Sequence, residues 1–133
     1  MNLVGFYQEM DHGYLDAWGG PMPAPESGAG KYSVRDVVTY LRSGYPVLDV
    51  MELTTDVIGG DFRVPGGSSV LTDMRFVWRE DLAWYVERYR IELPQPLLDR
   101  AQEESFRAPS VDPAALLDLS HEVSRVLGFR SIS

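Results

Sequence analysis

The sequence contains no cysteine among its 133 residues. Disulfide bonds, thiol catalysis and cysteine-ligated zinc are therefore excluded. No apolar run reaches the roughly 18 residues of a membrane-spanning helix. The first ten residues, MNLVGFYQEM, lack the basic start and apolar stretch of a signal peptide. We therefore expect a cytoplasmic protein without membrane contact.

Basic residues are scarce, because 12 Lys and Arg face 20 Asp and Glu, for a net charge of −8. Residues 1–61 hold nine acids against three bases, or −6, and residues 62–133 hold eleven against nine, or −2. Binding to nucleic acid phosphates needs a basic face, so no nucleic acid partner is expected. An acidic surface often serves solubility alone. The same field would also steer a basic partner toward the protein.

The segment 25–32, PESGAGKY, comes nearest to a nucleotide-binding motif. A phosphate-binding loop requires G-x-x-x-x-G-K-[ST] after a buried strand. Gly30 and Lys31 match, but Pro25 replaces the first glycine and Tyr32 replaces the hydroxyl that ligates magnesium. The preceding AWGGPMPA reads as loop rather than strand. We therefore predict that no nucleotide or other cofactor binds here.

Length and a hydrophobic share of 44% fit one domain over residues 1–133, with a flexible Gly/Pro-rich loop at 17–31. Apolar periodicity predicts alternating strands and helices along the chain. The predicted strands are 3–10, 47–53 and two arms within 68–79, and the helices are one from Ser33 to Gly44, 80–90, 95–104 and one after Asp112. This order predicts an α+β fold, in which helices pack on one face of a mainly antiparallel sheet of about four strands.

The segment 68–79, SSVLTDMRFVWR, predicts a β-hairpin. A two-residue turn at Asp73–Met74 would bring three pairs of residues opposite each other. They are Val70 with Val77, Leu71 with Phe76 and Ser69 with Trp78. Met74 suits this turn poorly, because the turn favours glycine, so a longer turn stays open. Trp78 is predicted to lie in the core in either case.

The densest polar cluster is EMDHGYLD at 9–16. Glu9, Asp11 and His12 are residue types that bind a metal or supply a general base with its orienting carboxylate. A small enzyme with a pocket beneath the loop 17–31 is therefore one functional hypothesis. A solvated strand end is the structural alternative, and the spacing alone does not require a metal.

The helix 80–90 gives a second candidate site. Its predicted buried face consists of Leu82, Val86 and Tyr89. Trp84 lies about 200° around the helix from the first of these, and Arg88 follows one turn later. An exposed Trp beside Arg is typical of a protein-binding hot spot, and Trp18 in the long loop is a further candidate. Packing of Trp84 beneath a neighbouring element remains the alternative.

Two stretches carry a resemblance to known proteins. Y-L-R-S-G at 40–44 and T-D-M-R-F-V-W-R-E-D-L-A-W-Y-V-E-R-Y-R-I-E-L-P at 72–94 resemble a pattern in small, uncharacterised actinobacterial proteins. Those proteins typically carry Gly where this chain has Met74. Eleven Arg against one Lys also suit a high-GC genome. The run from Tyr40 to Pro94 that contains both stretches covers about two fifths of the chain, and the resemblance transfers no catalytic residue.

Some of those proteins are similar to immunity proteins, which bind and block a toxin. The resemblance therefore implies a non-catalytic protein-binding module, immunity-like in character. Together with the net charge of −8, it predicts a basic protein partner. The enzyme that uses Glu9, Asp11 and His12 is the competing hypothesis.

Overall fold

The computed structural model describes residues 2–10 and 20–127. The strands are β1 (Asn2–Val4), β2 (Tyr45–Leu48), β3 (Leu53–Thr55), β4 (Arg63–Pro65), β5 (Val70–Thr72) and β6 (Phe76–Arg79). The helices are α1 (Val34–Arg42), α2 (Leu82–Tyr89), α3 (Gln95–Glu103) and α4 (Pro113–Val126). A short 3₁₀ helix spans Gln8–Met10. None of the described helices is both long and apolar enough to cross a membrane.

Six strands form two sheets. The larger sheet has four strands in the order β1-β6-β5-β2, and β3 pairs with β4 in a separate hairpin. The β1–β6 pair is parallel, whereas the β2–β5, β5–β6 and β3–β4 pairs are antiparallel. The predicted α+β class and the mainly antiparallel four-stranded sheet are confirmed.

The helices are divided between the two faces of the larger sheet, whereas the sequence predicted a single covered face. On one face, β5 and β6 pack against α1, α2 and α3 through Leu71, Phe76 and Trp78. The side chains directed toward α4 are Val70 and Val77, which pack with Val123. Both strands are buried on both faces. Strands of this kind need apolar cover on each side, and α4 supplies it on the second face.

The β5–β6 hairpin has a longer turn than the two residues first considered. Its register places Leu71 opposite Trp78 and Thr72 opposite Val77, two residues away from the predicted pairing. The cause is Asp73, whose carboxylate accepts hydrogen bonds from the N–H groups of Arg75 and Phe76 at 2.9 and 2.7 Å. A shift of two residues leaves each side chain on its predicted face, because the side-chain period of a strand is two.

Two predicted strands are shorter than expected. β1 ends at Val4 because Gly5, at φ 84°, turns the chain toward the 3₁₀ helix. The segment 47–53 is divided between β2 and β3, because the Ser69 hydroxyl bonds the backbone of Val50 and holds it outside both strands.

The long Gly/Pro-rich loop is described from residue 20 onward. Glu26 N–H donates to Tyr89 O at 2.7 Å, and Gly28 N–H donates to Arg90 O at 2.8 Å. This part of the loop is therefore anchored at the end of α2. Flexibility at 17–19 stays a prediction, because those residues lie outside the described part of the chain.

Trp78→Ala tests the core. Trp78 is fully buried, and its Nε1 donates to Leu41 O at 3.0 Å. We expect the substitution to lower the free energy of unfolding by about 3–5 kcal/mol, because it leaves a large cavity and an unpaired carbonyl. Urea denaturation measures the change. Arg75→Ala, at an exposed position of the same hairpin, is the control, and a similarly small loss for both variants would contradict the described core.

Candidate protein-binding groove

Three exposed apolar side chains lie close together in the chain. Met51 is 103% exposed, Leu53 56% and Val57 39%. We call these three residues the apolar stripe. Most large apolar side chains of this protein are buried, so a run of exposed ones is informative. The remaining large exposed apolar side chain among the described residues is Leu117, which lies on α4.

Two hollows meet at Leu53. The larger, which we call the acidic groove, has a volume of about 660 Å³. The described residues that line it are Pro46, Asp49, Val50, Met51, Glu52, Leu53, Pro65, Gly66, Ser69, Leu71 and Glu80. They include three carboxylates and no Lys or Arg. The smaller hollow, of about 290 Å³, shares Leu53 and Glu52 with the groove and extends to Val57. The apolar stripe therefore runs along both hollows.

The carboxylates of Asp49 and Glu80 are available to a ligand. Burial raises the pKa of Glu80, nearby Arg42 opposes that rise, and the negative charges of Asp81 and Asp49 add to it. Within the described residues, neither Asp49 nor Glu80 has a hydrogen bond or an ion pair to its carboxylate. An incoming cation would relieve the repulsion among these carboxylates.

The wall of the groove is held on both sides of Met51. Val50 N–H donates to Ser69 Oγ at 2.9 Å. Glu52 O accepts from Gly66 N–H at 2.8 Å, and its carboxylate accepts from a serine hydroxyl at 3.0 Å. Since its two neighbours are fixed by these bonds, Met51 is held at the surface with its side chain in solvent.

A buried ion pair attaches the β3–β4 hairpin to the rest of the fold. The Asp81 carboxylate accepts from Arg79 Nε at 3.1 Å, from Arg79 Nη2 at 2.9 Å and from Thr54 Oγ1 at 3.1 Å. Asp81 N–H also donates to Gly67 O at 3.0 Å. Burial raises the pKa of Asp81, while Arg79 and Thr54 oppose that rise. β3 is thereby fixed beside the start of α2.

A second buried carboxylate shapes the end of the apolar stripe. Asp56 is 5% exposed and accepts hydrogen bonds from four donors. The donors are the hydroxyl of Tyr89 and the N–H groups of Ile58, Gly59 and Asp61. Val57 N–H in turn donates to the Tyr85 hydroxyl at 2.9 Å. Burial opposes ionisation of Asp56, but its hydrogen bonds outweigh that effect and lower its pKa.

The two helix residues predicted to form a hot spot have separate partners. Trp84 is partly buried against the larger core, and the guanidinium of Arg42 lies 5.3 Å from its ring centroid. Arg88 pairs with Asp61 at 2.6 Å and lies over the ring of Tyr89 at 4.9 Å. Both residues are on one helix, but each is bound to a different neighbour. A binding role for Trp84 and Arg88 stays a prediction.

The predicted polar cluster is described only at Glu9. Both carboxylate oxygens of Glu9 accept from Met22 N–H, at 3.0 and 2.9 Å, so Glu9 anchors the start of the described loop. Asp11, His12 and Trp18 lie outside the described residues. Over residues 2–10 and 20–127, no group of three His, Asp or Glu is placed to hold a metal ion.

Sequence reasoning missed the acidic groove. The pattern of VLDVMEL at 47–53 predicts one strand, although Asp49 and Glu52 interrupt its apolar residues. Those two acids are the signal that could have identified a surface segment. No such signal could identify Glu80, because it is distant in sequence from this segment and lines the groove only in the folded structure.

Comparisons of the chain with protein-family models, with curated proteins and with solved structures found no match.

The lowered pKa of Asp56 predicts a pH-dependent loss of stability. Asp56→Asn should lower the free energy of unfolding at neutral pH by roughly 1–3 kcal/mol, because an amide oxygen cannot accept all four hydrogen bonds. A lowered folded-state pKa means that this contribution is present above the ordinary value of 3.8 and is lost as the pH falls through the folded-state pKa. Denaturation at several pH values measures the difference in free energy of unfolding between wild type and variant. This gap should narrow below pH 3.8. A gap that is constant or widens with acid would contradict the assignment.

Proposed function

We propose that this protein is a non-catalytic protein-binding module that binds a basic protein in the acidic groove. The observation that carries the proposal is the exposure of Met51 and Leu53 beside three carboxylates. An apolar patch rimmed by polar groups is typical of a protein interaction site. A charged enclosure of one sign selects a partner of the opposite sign.

The charges of the groove favour a partner with Lys or Arg at its contact surface. Within the described residues the carboxylates of Asp49 and Glu80 form no hydrogen bond or ion pair, although Arg42 lies near Glu80, and the chain as a whole carries −8. Long-range attraction should accelerate association, and apolar burial around Met51 should slow dissociation. The proposed partner therefore combines a cation with an apolar side chain.

An immunity-like role is the specific form of this proposal. Under it, the basic partner is a toxin that the protein neutralises in the cytoplasm. The support comes from the sequence resemblance at 40–44 and 72–94 and from the acidic groove. An immunity protein acts by occupying a surface of its toxin, so it needs a complementary face and no catalytic group.

The competing enzyme hypothesis receives no support from the described residues. Glu9, its one described member, is engaged by Met22 N–H through both oxygens. The other buried carboxylates, at Asp56, Asp73 and Asp81, accept hydrogen bonds that shape turns or attach strands. The groove offers contact area and charge rather than a paired acid and base.

A basic protein that this chain retains from native extract is first identified and purified. Its binding to the variants then tests the proposal. We expect Met51→Ala and Leu53→Ala each to weaken its affinity by about thirtyfold, as for hot-spot residues worth about 2 kcal/mol. Glu80→Gln should weaken binding chiefly by slowing association at low salt. Calorimetry and stopped-flow kinetics measure the two effects.

Leu117→Ala is the matched control, because Leu117 is an equally exposed leucine on α4. It should leave affinity unchanged. Retention of no basic protein at physiological salt would contradict the proposed function. Loss of binding in Trp84→Ala and Arg88→Ala, with Met51→Ala unaffected, would move the site to the helix face predicted from the sequence.

A further inference from the structure

The hydrogen bonds of the β3–β4 hairpin leave one edge of β3 open. Asp56 N–H donates to Phe62 O at 2.9 Å, and Gly66 N–H donates to Glu52 O at 2.8 Å. Hydrogen-bonded and non-hydrogen-bonded pairs alternate along antiparallel strands. The even-numbered residues of this segment therefore direct their backbone groups toward β4, and the odd-numbered ones direct theirs away from it.

The outward groups belong to Leu53, Thr55 and Val57. Val57 N–H is already bonded to the hydroxyl of Tyr85. Within the described residues, no hydrogen bond reaches the outward N–H or C=O of Leu53 or Thr55. Two consecutive outward positions of β3 thus carry donors and acceptors that no other described residue engages.

Other strand edges in the structure carry features that block pairing. The edge strand β2 contains Pro46 and has an irregular register between Pro46 and Leu48. The outer edge of β4 contains Pro65. Proline and an irregular register protect edges from pairing with another chain. β3 contains no proline, and its ladder continues beyond both ends of the strand.

We infer that an extended segment of the basic partner adds as a strand to the open edge of β3. This inference rests on the proposed function and assigns its binding mode. The added backbone would satisfy the free groups of Leu53 and Thr55, as in other cases of strand addition to a sheet edge. The space beside the edge is the smaller hollow, of about 290 Å³.

Side chains and charge define the segment that fits. Alternate side chains of the added strand would lie beside Leu53 on the exposed face, where an apolar residue matches. The intervening side chains would face the hollow, whose charged lining residues are Glu9, Glu52 and Arg79. Because Arg79 is paired with Asp81, the two glutamates make Lys or Arg the better match. A second copy of this chain is a poor occupant, because it would bring the same carboxylates together.

The test compares two proline substitutions at opposite positions of the hairpin. Thr55→Pro removes an outward N–H on the open edge, and Arg63→Pro removes the outward N–H of its cross-strand partner on the other edge. Neither removes a bond between β3 and β4. The probe is a capped octapeptide of alternating Val and Lys, with alternating Val and Glu as its control, and calorimetry measures binding at low salt.

We expect the Val/Lys peptide to bind with a dissociation constant below about 1 mM. Thr55→Pro should weaken the affinity for this peptide by about tenfold or more, while the affinity of Arg63→Pro should stay within about twofold of wild type. The Val/Glu peptide should not bind. If Thr55→Pro does not fold, the same loss is expected for wild type with a Val/Lys peptide N-methylated at alternate residues.

Equal binding by the two proline variants, or no loss on N-methylation, would overturn strand addition. If Met51→Ala still weakens binding of the native partner in that case, the groove and the proposed function stand without strand addition. Failure of the Val/Lys peptide to bind at 1 mM, or dimerisation of the protein through this edge, would also overturn the inference. In that case, whether the protein retains a basic partner from native extract still tests the proposed function on its own.

Discussion

The buried carboxylate of Asp81 joins the junction between β6 and α2 to β3, which lies 27 positions earlier in the sequence. It pairs with Arg79 at the end of β6, accepts from Thr54 on β3 and precedes the first turn of α2. Asp81 is 1% exposed and Arg79 is 4% exposed. Removing one member of such a pair leaves an uncompensated buried charge, which costs about 3–5 kcal/mol. The position of the β3–β4 hairpin, and with it the groove, depends on this contact.

The acidic residues of the protein fall into two groups with different surroundings. Asp56, Asp73 and Asp81 are buried and are surrounded by donors, including Tyr89, Tyr40 and Arg79 respectively. These carboxylates stabilise turns and junctions of the fold. Asp49 and Glu80 line the groove, and within the described residues their carboxylates form no hydrogen bond or ion pair. The contrast supports a function in which the fold presents negative charge to another molecule.

Local features were predictable from the sequence because they depend on neighbouring residues. Ser33 caps α1 by accepting from Asp36 N–H, and Pro113 begins α4, as their patterns indicate. The hairpin register was not predictable in the same way, because Asp73 extends the turn with its side chain. The division of the helices between two faces follows from tertiary packing, as does the partial burial of Trp84.

The groove itself is a product of long-range contacts. Met51 and Glu80 lie 29 positions apart in the sequence and line one surface only because Ser69 and Asp81 bring their segments together. The open edge of β3 likewise requires knowledge of which backbone groups face β4. Sequence patterns predict the strands, but they do not assign the hydrogen bonds of strands as short as three residues.

We propose that β3 presents to a basic partner backbone groups that no other described residue engages, and amide hydrogen exchange measures their N–H groups directly. In the free protein, the amides of Leu53 and Thr55 should exchange rapidly, while Thr54, bonded toward β4, should be protected. Addition of the partner should slow exchange at Leu53 and Thr55. Slow exchange at both amides in the free protein, or unchanged rates in a saturated complex, would contradict the account.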